Sequence, residues 1–91
     1  MKHANDRALD KLTTLLTALR AIEGLKEKKR GIFYRKGQAF LHFHDDPTGL
    51  FADLRLSSDW ERFPVNTSEE QAQLVDRVSS QMSEVFKTSE V

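Results

Sequence analysis

Phe40-Leu41-His42-Phe43-His44-Asp45-Asp46-Pro47-Thr48-Gly49-Leu50-Phe51-Ala52-Asp53-Leu54-Arg55-Leu56 holds two runs of alternating residue character on either side of a turn. Alternation at period two marks strands that bury one face and leave the other uncovered. Pro47 presets φ for the turn and Gly49 accepts a left-handed conformation, so the two runs read as a β-hairpin. A flush four-residue loop sets Asp45 opposite Leu50, His44 opposite Phe51, Phe43 opposite Ala52, His42 opposite Asp53, Leu41 opposite Leu54 and Phe40 opposite Arg55.

A second hairpin precedes it. Ile32 to Arg35 and Gln38 to Asp45 flank Lys36-Gly37, a two-residue connection that makes a tight turn because Gly accepts positive φ. Its register opposes Arg35 to Gln38, Tyr34 to Ala39, Phe33 to Phe40 and Ile32 to Leu41. Alternation then sorts the side chains into two sets. Ile32, Tyr34, Ala39, Leu41, Phe43, Leu50, Ala52, Leu54 and Leu56 form the expected core face. Phe33, Arg35, Gln38, Phe40, His42, His44, Phe51, Asp53 and Arg55 form a second face, which no core would tolerate unpaired and which should meet solvent, a partner or a ligand.

Helical signals lie on both sides. Leu9, Leu12, Leu15, Leu16, Leu19 and Ile22 recur at three- and four-residue spacing, with Asn5 or Asp6 as cap and Gly24 beyond the end, predicting a helix over 6–23. Lys26-Glu27-Lys28-Lys29-Arg30 reads as a basic connector, solvated or able to hold a phosphate or an acidic partner. After Ser57-Ser58-Asp59, Trp60 to Val65 reads as a short fourth strand that Pro64 confines to an edge. Thr67 and Glu70 form a capping box before a last helix with Leu74, Val75, Val78, Met82, Val85 and Phe86 on its apolar stripe. The order α-β-β-β-(β)-α predicts a single α+β domain over 1–91: two layers, with a three- or four-stranded antiparallel meander and both helices on one face.

Composition bounds the chemistry. Ninety-one residues with 38% hydrophobic and 31% charged content are ordinary for a folded chain of one domain. The absence of cysteine excludes disulfides, thiol nucleophiles and thiolate metal sites. No apolar run resembles a leader or a membrane span, so a cytoplasmic location is expected. Net charge is zero but segregated: ten lysines and arginines against four acids in residues 1–36, four against ten in 37–91. That asymmetry favours docking of the two halves on each other, or head-to-tail contact between copies.

His42 and His44 stand one pleat apart on one face, a spacing that can hold a metal, with Asp53 as a third ligand or as the group that orients His42. Two histidines without a firm third ligand assign no metal, and no cofactor is expected. The His42–Asp53 pair also has the form of a general base and its orienter, but the chain offers no nucleophile at hand, so no catalytic residue is assigned. Phe33, Phe40 and Phe51 with Arg35 and Arg55 have the makings of a stacking platform for single-stranded nucleic acid. Neutral charge and the acids Asp45, Asp46 and Asp53 weigh against nucleic acid. Apolar patches of this kind mark interaction surfaces, so a non-catalytic binding or self-association module, a homodimer or a protein partner on the sheet face, is the expectation; the alternative is an enzyme or a small-ligand or metal-binding domain using His42, His44 and Asp53, and the second alternative single-stranded nucleic-acid binding on the aromatic face.

The pattern Phe-Leu-His-Phe-His, then Gly-Leu-Phe-Ala-Asp-Leu-Arg-Leu, then an Arg-Phe segment and a final amphipathic helix, resembles a group of small bacterial α+β proteins, some of whose longer members are labelled luciferase-family. The resemblance covers about residues 31 to 86 and rests on His42, His44 and Asp53 with the hydrophobic spacing. It implies an α+β fold with an unassigned role, and no light-emitting chemistry.

Overall fold

A computed structural model describes residues 2–89. In chain order it contains β1 (Lys2–His3), α1 (Asp6–Asp10), α2 (Thr13–Arg20), β2 (Lys26–Lys29), β3 (Ile32–Arg35), β4 (Gln38–Asp46), β5 (Gly49–Leu56), β6 (Asp59–Pro64) and α3 (Ser68–Ser89). The fold is α+β, an antiparallel sheet with helices from both ends of the chain, as the alternation and the helical stripes predict. The sheet runs β2-β3-β4-β5-β6, and β1 pairs with β4 at His44 and Asp45, beyond the stretch from Gln38 to Leu41 that β3 occupies. It is thus wider than three or four strands.

The two additional strands come from segments without apolar alternation. The basic connector forms β2, which adds to β3 through main-chain bonds and bends at an irregularity between Glu27 and Lys29. Lys2 and His3 add to β4 opposite Asp45 and His44, and the Ala4 amide donates to the Phe43 carbonyl at 3.1 Å.

The predicted first helix is two. Asn5 Oδ1 accepts from the Ala8 amide at 2.9 Å, the cap that starts α1. The chain then tightens: the Lys11 and Leu12 amides donate three residues back, and the Thr13 hydroxyl donates to the Asp10 carbonyl at 2.9 Å. A threonine bonding backward in this way competes with helical continuation. The leucine stripe nevertheless crosses the break, since Leu9, Leu12, Leu15, Leu16 and Leu19 are all buried. At α3 the capping box is complete, with the Glu70 amide donating to Thr67 Oγ1 and the Thr67 amide to Glu70 Oε1, each at 3.1 Å. Leu74 and Val78 of its stripe enter the core with Val75 and Met82 against it; the side chains of Val85 and Phe86 lie outside the described residues.

The β4–β5 register is the predicted one from Leu41↔Leu54 through Asp45↔Leu50. In β3–β4, Arg35↔Gln38 and Tyr34↔Ala39 hold, but Phe33 pairs with Leu41 and leaves Phe40 as the extra residue of a bulge. This corrects the predicted faces. A regular ladder would have put Phe33 and Phe40 opposite each other on the uncovered side. With the bulge, both lie in the core with Leu41, at 0%, 3% and 0% exposure. Each buried phenylalanine is worth about 2 kcal/mol, more than the ladder bond the bulge forgoes. Ile32, Tyr34 and Ala39, expected in the core, are only partly covered.

Candidate functional site: a histidine cluster on the open sheet face

The helices cover the face that carries Leu41, Phe43, Ala52 and Leu54. The opposite face has no helical layer among the described residues, and its middle is built by β4, β5, β6 and β1. Alternation along β4 puts His42 and His44 there, and alternation along β5 puts Phe51, Asp53 and Arg55 there. Two further groups join them. The Ser57-Ser58 turn sets Leu56 against Asp59 and hence Asp53 against Arg62, and β1 sets His3 against His44.

Asp53 is the centre of the cluster and the one buried charged residue among those described, at 7% exposure. Arg62 clamps it with both arms of its guanidinium, Nε to Oδ1 at 2.8 Å and Nη2 to Oδ2 at 3.0 Å. His44 Nε2 lies 2.8 Å from Oδ2. The backbone register opposes Asp53 to His42, yet the carboxylate bonds His44, one pleat further on, because sheet twist brings the diagonal neighbour into reach. Burial alone would push the Asp53 carboxyl up; the Arg62 hydrogen bond and the nearby His44 outweigh it and hold the group below the usual carboxylate range.

The three imidazoles gather edge-on and tilted against one another. The His42 and His44 ring centroids are 4.8 Å apart, and His3 stands 5.4 Å from His42 and 5.1 Å from His44. Trp60 closes the other side, 4.8 Å from His42, with the Arg55 guanidinium over its ring at 4.7 Å. This indole is the exposed large hydrophobic side chain among the described residues, at 39%. Burial, and then the neighbouring His44, lower the His42 pKa, so its imidazole is neutral near pH 7.

One feature of the cluster is chemically incomplete. The Nδ1 atoms of His42 and His44 are both buried and have no hydrogen-bond partner. A buried polar atom without a partner costs about 1 to 3 kcal/mol, and two in one cluster are rare in a folded chain. Because His44 Nε2 is the nitrogen directed at the carboxylate, Nδ1 is the ring nitrogen left to offer a lone pair to a ligand. His42, His44 and Asp53 each offer a ligand atom within 4.8 Å of the others.

The residues expected to share one face are therefore distributed over three places. His42, His44 and Asp53 converge, with Phe51 beside them as the strand partner of His44. Phe33 is in the core. Phe40 is buried as well, but its ring lies under the Arg35 guanidinium at 5.4 Å, and Arg35, Phe40 and Arg55 meet in a cleft at one end of the sheet. The contact expected between Arg55 and Phe40 is made instead by Arg35. His3 and Arg62 were not in the expected set. A two-residue turn at Ser57-Ser58 would have opposed Arg62 to Asp53; for His3 no local pattern exists, since a two-residue strand has no periodicity to read. No protein-family model, curated protein or solved structure matches this chain.

Proposed function

We propose that the open sheet face is a binding site for a divalent transition-metal ion, with Nδ1 of His42 and of His44 as donors and His3 as a third imidazole at hand. The two buried, partnerless Nδ1 atoms carry this reading. Nitrogen donors without thiolate suit Zn²⁺, Ni²⁺, Co²⁺ or Cu²⁺. Asp53 serves here as the group that orients His44 through Nε2 and raises the basicity of its other nitrogen, an arrangement common among metal-bound histidines. Its own oxygens are engaged by Arg62, which makes it a poor direct ligand. Self-association and base stacking both rested on three exposed phenylalanines, and two of these are buried, so the support moves from the aromatic groups to the imidazoles.

Titration with Co²⁺ and Zn²⁺, followed by d–d absorption and by the imidazole NMR signals, tests the proposal. Saturable binding at one equivalent is expected, with the His42 and His44 signals shifting first. His44→Ala and His42→Ala should each weaken it by more than about tenfold, beyond the loss typical of removing a group that only orients a ligand. Asp53→Asn should weaken it less while leaving one equivalent bound. Imidazole signals that stay unmoved at stoichiometric metal would end the proposal.

A further inference from the structure

A second site stands at the end of the sheet where the β3–β4 and β5–β6 turns meet α3. Here a cleft of about 280 Å³ is walled by Arg35, Lys36 and Arg55. Gln38, Ser57 and Gln81 supply uncharged polar groups, the buried Phe40 an apolar patch, and no carboxylate lines it among the described residues. Arg20, Arg30, Arg62 and Arg77 each lie against a carboxylate, of Glu27, of Asp6 and Asp10, of Asp53 and of Glu61. Among the described residues Arg7, Arg35 and Arg55 have no such pair, and Arg35 and Arg55 stand together in this cleft while Arg7 lies apart on α1. Three cations gathered without a counter-charge on a chain of zero net charge repel one another, and an anion between them would remove that cost.

The two guanidiniums are also held in place. Arg55 Nε donates to the Ala39 carbonyl at 3.1 Å while its plane lies over Trp60, which leaves its terminal nitrogens for other acceptors. Arg35 is held over Phe40. Guanidiniums fixed in advance lose less rotamer freedom on binding and present forked donors suited to phosphate oxygens. A single carboxylate needs one such fork; two forks and an ammonium match a dianion. The cleft volume is at the lower end of small-molecule sites.

We infer that this cleft binds the phosphate group of a small phosphorylated molecule. The inference is independent of the histidine cluster, since none of the cluster's imidazoles lines the cleft.

The test uses the full chain, ¹⁵N-labelled, titrated with inorganic phosphate, glycerol phosphate, acetate and chloride at matched ionic strength. Phosphate and glycerol phosphate should move the Arg35 and Arg55 Nε–H signals and the Lys36, Gly37 and Ser57 amides in a saturable way, with acetate and chloride far weaker. Arg55→Gln and Arg35→Gln should each weaken binding about tenfold, the loss typical of one charge-assisted contact. If the Arg55 variant fails to fold, Lys36→Gln on the exposed turn takes its place with the same expected direction. Shifts reproduced by chloride or acetate, or unaltered by these substitutions, would overturn the inference. So would a short single-stranded oligonucleotide that binds through the same residues more tightly than glycerol phosphate, which would make the cleft part of a nucleic-acid interface.

Discussion

Asp53 shows how one buried charge is tolerated. Its desolvation is offset by a bidentate guanidinium and an imidazole, so the group is stable only as an anion with both partners in place. Asp53→Asn should destabilise the fold by about 2 kcal/mol in denaturant unfolding, the range for a lost charged hydrogen-bond partner, and Arg62→Ala by at least as much, because it leaves the buried carboxylate with His44 alone. The pH dependence has two windows. His42 has a folded pKa below its unfolded value near 6.5, so the unfolded chain binds more protons; its contribution is complete above that value and is lost as pH falls through the folded pKa. Asp53 acts lower, since its folded pKa lies below 3.8 and its contribution is lost only in strong acid. The slope of Tm against pH just below about 6.5 should therefore flatten in His42→Gln. An unchanged slope in that variant would refute the assignment. At this scale the sequence exposed the His42–Asp53 register but not the His44–Asp53 bond, because pairing is a main-chain property and the diagonal contact depends on twist.

Among the elements, the β3–β4 bulge decides most. One extra residue in β4 turns Phe33 and Phe40 inward, and the expected aromatic face becomes an imidazole face. Alternation could not reveal this, since both phenylalanines sit at positions that a regular ladder would have exposed. Strand β2 was illegible for a different reason: Lys-Glu-Lys-Lys has no apolar alternation, and β2 joins the sheet by backbone pairing with Arg20 bonded to its Glu27. Its return to β3 needs Gly31 at φ +78°, where an added Cβ would stand 2.7 Å from Leu9 Cδ2. Gly31→Ala should cost about 2 kcal/mol by adding left-handed strain to that contact, whereas Thr67→Ala, which loses one reciprocal cap bond, should cost about 1 kcal/mol. Thermal unfolding of the two variants checks the order.

Across the described residues, the segregated charges do not cancel each other through side-chain pairs. Arg20–Glu27 and Arg30 with Asp6 and Asp10 stay within residues 1–36, while Arg62–Asp53 and Arg77–Glu61 stay within 37–91. Docking of the halves therefore rests on the shared leucine and phenylalanine core. Among the described residues no helix is long and apolar enough to cross a membrane. The N-terminal strand serves both sheet and site, since β1 covers the edge of β4 and delivers His3 to His42 and His44. A chain starting at residue 5 should lose about 1 to 2 kcal/mol with the ladder bonds of β1, and should bind Co²⁺ more weakly than the full chain while keeping the cleft's phosphate response. Parallel metal and phosphate titrations of that variant test this.

The sequence by itself determined the α+β class, both hairpin turns, the core leucines, the capping box and the register that faces His42 to Asp53. These follow from local periodicity and turn chemistry, which act within a few residues. Only the tertiary structure decided that Phe33 and Phe40 are buried, that Arg62 and His3 join the histidines, and that Arg35 and Arg55 share a cleft. Those outcomes depend on a bulge, on strand twist and on a two-residue strand from the far end of the chain, where packing energy overrides any pattern the residues carry locally.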